Sequence, residues 1–137
     1  MCAAIGVATG LLGAVAGWVT PAVIAGIPVI YGFVLGVHVI PGIISQEVLR
    51  LPLVALITHV LAALVSSAVA PQFALSFLGT ALLFGGIQEG VAALTRYRVW
   101  RSWRFFISAL IIGAVIAVAV GFIAHLSTMA PWAGAVY

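Results

Sequence analysis

Apolar stretches bounded by Pro, Gly or Arg divide this chain into five predicted helices. The first covers about residues 3–19 and ends before Thr20-Pro21. A short Gly/Pro-punctuated stretch, 21–26, leads to the second, about 27–46, with Pro41 inside it. The third runs about 51–69, between Arg50-Leu51-Pro52 and Pro71; the fourth about 73–95; the fifth about 104–126. Each is close to the ~20 residues that cross a ~30 Å hydrocarbon core.

Composition agrees with this pattern. Of 137 residues, 66% are hydrophobic and only 5% charged, far too few charges to cover a soluble fold, which carries roughly a quarter. The expected fold is all-α: one polytopic transmembrane bundle over residues 1–137, since no linker or low-complexity segment divides it. The N-terminus lacks a basic n-region, so it reads as a first spanning helix. Cys2 is the single cysteine and permits no internal disulfide.

Charge adds an orientation. All five basic residues are arginines, Arg50 and the cluster Arg96, Arg98, Arg101 and Arg104, and the net charge is +3. With the 96–104 loop in the cytoplasm, five spans put Arg50 there too, the N-terminus inside and the C-terminus outside. The basic pI therefore reports membrane orientation and not nucleic-acid binding.

Polar residues inside the spans are the candidates for chemistry. At ~1.5 Å per residue, Glu89 is roughly 10 Å in from Arg96, His59 roughly 13 Å in from Arg50, and His38 roughly 18 Å in. His125 falls roughly 31 Å from Arg104, at the outer surface, and is set aside. A carboxylate at such depth is costly and faces the bundle interior or a wet cavity. Gly85, Gly86 and Gly90 leave room beside Gln88-Glu89, and Ser66 shares a helix face with His59 across Ala62 and Ala63. The expected site is Glu89 as countercharge, Gln88 and His59 as hydrogen-bonding groups, His38 and Ser66 beside them, and Tyr31 or Trp18 stacking on a ring. The structural alternatives are His38 bonding a carbonyl freed by Pro41 and His59 bridging two helices. No HxxxH or ExxH spacing supports a metal site, and no triad, phosphate loop or cofactor fingerprint supports enzyme chemistry or a cofactor.

Helix 1 carries Ala4-xxx-Ala8, Gly6-xxx-Gly10 and Gly13-xxx-Gly17. Such ridges let helix backbones approach closely, within the bundle or against another membrane subunit.

The run "YGFVLGVHVIPGIISQEVLRLPLVALITHVLAALVSS" followed by "LLFGGIQEGVAALTRYRVW" resembles the YkoE proteins. These are substrate-binding S components of energy-coupling factor (ECF) vitamin transporters. The matching features are Tyr31-Gly32, Pro41-Gly42, Arg50-x-Pro52, Gln88 and Arg96-Tyr97-Arg98, over about residues 30–100. The resemblance implies a six-helix bundle in the bacterial plasma membrane that binds thiamine or its hydroxymethylpyrimidine moiety. It also implies partners, a transmembrane T subunit that Ala4 and Ala8 would dock on and two ATPase subunits, so this chain would be no enzyme itself. The sequence departs from the family at His59 and Ala93, where an acid is usual, and the sixth helix is expected to be absent. Two other readings compete: a small proton-coupled exporter of cationic compounds, and a non-transporting membrane assembly subunit.

Overall fold

The computed structural model describes residues 1–27 and 30–123, with side chains as far as residue 119. These residues form six α-helices: α1 (Cys2–Gly26), α2 (Tyr31–Gly36), α3 (Ile40–Leu49), α4 (Val54–Val69), α5 (Ala74–Leu94) and α6 (Ser102–Ile123). No strand occurs among the described residues, and the expected all-α bundle is what is found. Counting α2 and α3 as one interrupted span, Tyr31–Leu49, four segments are long and apolar enough to cross a membrane. The fifth, α4, is apolar but has only 16 residues. The last part of the predicted fifth helix, 124–126, and His125 lie outside the described residues.

Two prolines act differently from expectation. Pro21 does not end the first helix, which continues to Gly26. A proline inside a helix removes one backbone donor, and bundle helices in membranes tolerate this when nearby hydroxyls re-satisfy freed carbonyls. Thr20 Oγ1 donates to Ala16 O at 2.8 Å, one residue before the Gly17 carbonyl that Pro21 leaves without its helical donor. Pro41 does not kink a continuous helix. A 3-10 turn, Val37–Val39, separates α2 from α3, and Pro41 takes the second position of α3, where its missing N–H costs nothing.

Helix α1 lies on α4 through a seam of glycines. A Cβ on Gly6 would stand 2.8 Å from Leu61 Cβ, and one on Gly10 would stand 2.7 Å from Ala62 O. Ser66 Oγ donates to Gly10 O at 2.6 Å across the same seam. The Gly-xxx-Gly ridges are therefore internal. Ala4 and Ala8, with Leu11, Leu12 and Val15, lie on the exposed side of α1. Helix α5 packs on the other side of α4, with Phe77, Ala81, Ala63 and Ala70 in one apolar cluster; Phe84, Val39 and Ile112 form a second towards α6.

The α3–α4 and α5–α6 turns meet at one end of the bundle, where Leu53 bonds Glu89 and Arg104 bonds Gln46. Both turns use left-handed residues that are not glycine: Arg50, Leu53, Arg96 and Tyr97. Each such residue costs on the order of 1–2 kcal/mol and needs support from its surroundings.

A methyl group at Gly10 meets backbone and not a movable side chain, so Gly10→Ala should destabilise the fold by about 1–3 kcal/mol. Gly79→Ala, which meets nothing, is the control. Thermal unfolding in detergent should show a clear drop for the first and none for the second.

Candidate functional site

Helix α4 has only 16 residues, and Val54 and Ala55 at its start are buried against neighbouring helices. Unsatisfied N–H groups at a helix start need acceptors, and in a membrane water does not supply them. No side chain of α4's own caps it. Glu89, reaching across from α5, does so. Its Oε1 accepts from Leu53 N–H at 2.8 Å and its Oε2 from Ala55 N–H at 3.1 Å. A carboxylate at a helix N-terminus is also favoured by the helix dipole. Gln46 Nε2 completes the set, 3.4 Å from Oε2 and 3.3 Å from Gln88 O.

The network continues to Arg104. Its Nη2 donates to Gln46 Oε1 at 3.1 Å, and its guanidinium lies 4.5 Å from the Trp100 ring and 4.7 Å from the Phe105 ring. Arg104 is 1% exposed, whereas Arg50, Arg96, Arg98 and Arg101 are exposed. This corrects the reading of all five arginines as markers of a membrane face: four are exposed, and Arg104 is turned inward and linked to the acid through Gln46. Sequence reasoning missed both Gln46 and Arg104, because each is defined by a partner about forty or more residues away.

A second set of residues forms a cleft between α1, the 37–39 turn, α4 and α5. Its deep part is lined by Thr9, Gly13, His38, His59, Ser66 and Phe77, among others, most of them buried. Its other part shares His38, Phe77 and Thr80 with the first and extends to Thr20, Tyr31 and Ser76. Rings at 6.0–6.3 Å link Trp18, Phe73, Phe77 and His38 along this side. The Thr20–Tyr31 part lies towards the end of the bundle opposite the arginine turns.

Of the residues expected to form one site, the structure places Tyr31, His38, His59 and Ser66 on this cleft. Glu89 and Gln88 do not line it among the described residues. Gln88 backs it: its Nε2 donates to Val39 O at 3.0 Å and its Oε1 lies 3.0 Å from His59 Nε2. Gly42 makes room for this pairing, since a Cβ there would overlap Gln88 Oε1 and stand 2.8 Å from His59 Nε2. Thr9, Thr80 and Phe77 join the cleft without having been singled out in the sequence. Ser66 has already spent its proton on Gly10 O, so towards a ligand it is an acceptor. Among the described residues no group of three His, Cys, Asp or Glu converges as a metal site would require.

Against known protein families, residues 1–115 match the ABC-type cobalt transport system permease components. The chain belongs to this family. With its apolar helices, this makes it a multi-pass membrane component of an ABC-type transporter. No curated protein and no solved structure gives a significant match.

The capping geometry makes a prediction for the permease component's acid. In Glu89→Gln an amide nitrogen must face one of two backbone N–H donors, leaving a buried donor unpaired at a cost of about 1–3 kcal/mol. Its unfolding midpoint in detergent should fall. Glu47→Gln, which touches an exposed Arg50 at 3.6 Å, should change stability by less than about 1 kcal/mol.

Proposed function

We propose that this chain is the substrate-binding membrane subunit of an ECF-type vitamin importer, taking up thiamine's hydroxymethylpyrimidine moiety or thiamine itself. The observation that carries this reading is the cleft: two histidines, three threonines and two serines beside an aromatic wall suit a small planar ring with polar edges. Membership of a transport-permease family and the resemblance to the YkoE proteins support it. With the arginine turns in the cytoplasm, the Tyr31 end of the cleft faces outward, as capture from the medium requires. The exposed Ala4–Ala8 face of α1 is assigned to a transmembrane T subunit, and two ATPases in other chains supply the energy.

Charge refines the substrate. The described cleft lining contains no acid, and the one buried carboxylate is occupied by α4. Neutral hydroxymethylpyrimidine therefore suits the cleft better than the thiazolium cation of thiamine, which only the faces of Tyr31, Phe73 and Phe77 would balance. The family's name raises cobalt as the cargo. His38 and His59 offer that ion two imidazole donors on one cleft, and no third side-chain donor of the usual kind joins them among the described residues.

Calorimetric titration of the detergent-solubilised protein with hydroxymethylpyrimidine, thiamine and Co2+ separates these readings. Pyrimidine binding tighter than thiamine binding is expected, with affinity lowered roughly 3- to 10-fold in His59→Ala by loss of one hydrogen bond. Saturable Co2+ binding with no response to either pyrimidine compound would overturn the assignment.

A further inference from the structure

The His59–Gln88–Val39 chain decides which kind of hydrogen bond the deep cleft offers. Val39 contributes a backbone carbonyl, which only accepts, so the Gln88 atom 3.0 Å from it is the amide nitrogen. The amide oxygen then faces His59 Nε2 at 3.0 Å, and that nitrogen must carry a proton to donate to it. Nothing else about the Gln88 amide is free to rotate: the residue is 1% exposed and its oxygen sits where Gly42 has no Cβ. A neutral imidazole protonated at Nε2 leaves Nδ1 as a bare lone pair. His59 lines the cleft, and Nδ1 makes no hydrogen bond among the described residues.

We infer that Gln88 is a positioning residue that fixes the tautomer of His59, so that the deep cleft presents a hydrogen-bond acceptor and selects a ligand edge bearing an N–H donor. The inference rests on the cleft being the ligand site proposed above. The neighbouring groups act in the same sense: Ser66, its proton committed to Gly10 O, adds a second acceptor. An aminopyrimidine edge, with an exocyclic amine, satisfies these acceptors. A ring with only carbonyl or bare nitrogen at that edge leaves them buried and unpaired, which is how a polar site rejects an isostere.

Nitrogen-15 NMR of histidine-labelled protein reads the tautomer directly. The chain has three histidines, so the His59 signals are identified by their loss in His59→Gln. The expected spectrum has a protonated Nε2 and an unprotonated Nδ1 for His59, and Gln88→Met should give a mixture of tautomers. A protonated Nδ1 in the natural protein, or an unchanged tautomer in folded Gln88→Met, would overturn the inference. If Gln88→Met does not fold, the natural protein's spectrum decides it alone. Hydroxymethylpyrimidine with its amine should then shift the Nδ1 signal and bind roughly 5- to 10-fold more tightly than the analogue lacking the amine. Equal binding of the two would also overturn it. If neither compound binds, the failure falls on the proposed substrate, while the tautomer still tests Gln88's role.

Discussion

A membrane helix that begins inside the bundle leaves backbone amides with nothing to bond, and the arrangement of this protein follows from how α4 meets that constraint. With 16 residues, α4 is shorter than each of the four segments long and apolar enough to cross a membrane. Its start is held by a carboxylate that comes from another helix, α5. That single group ties three elements together, because Gln46 of α3 bonds both the carboxylate and the carbonyl of the residue before it. It also steadies Leu53, whose left-handed backbone is unfavourable for any side chain with a Cβ. Arg104 brings α6 into the same knot through Gln46. A buried acid is thus the means by which a tight, glycine-free turn and a short helix are kept in place.

This use of Glu89 shapes the functional reading, because it separates the charged part of the interior from the cleft. The cleft lies further along the bundle and is built from imidazole, hydroxyl and aromatic groups. Gln88 belongs to both regions in sequence but to the cleft in its chemistry, since its amide closes on His59 and Val39. Adjacent residues on α5 therefore serve different tasks, one bracing the architecture and the other setting the polarity of the site. The glycine seam completes the cleft: Gly13 leaves 2.9 Å between its absent Cβ and Ser66 Oγ, and 3.5 Å to the His38 ring.

Much of this was legible in the sequence. Long apolar blocks pointed to the bundle and the arginines to a common end for two turns; comparable depths suggested one site for Glu89, His59 and His38, of which only the two histidines line the cleft, with Ser66. The glycine ridges of α1 announced close helix packing, which proved to be with α4. What the sequence concealed was pairing across distance. Nothing local marked Gln46 or Arg104 as neighbours of Glu89. Nor did any glycine signal the left-handed turn at Arg50–Leu53, because the strain there is supported by the buried acid itself and not avoided by residue choice. In sequence Pro21 marks a helix end and Pro41 a helix interior, and the structure reverses the two: Pro21 is accommodated mid-helix and Pro41 starts a new helix.

We propose that the buried carboxylate belongs to the scaffold and not to the ligand. The protein's composition makes this directly measurable, because Glu47 and Glu89 are its only side-chain carboxylates. Infrared difference spectroscopy on the Glu47→Gln protein isolates the Glu89 carboxyl bands, identified by their loss in Glu47→Gln/Glu89→Gln. Adding saturating hydroxymethylpyrimidine or thiamine should leave those bands unmoved while ligand and histidine bands change. A ligand-induced shift of the Glu89 bands, or their conversion to those of a protonated acid, would contradict the account and return Glu89 to the binding site.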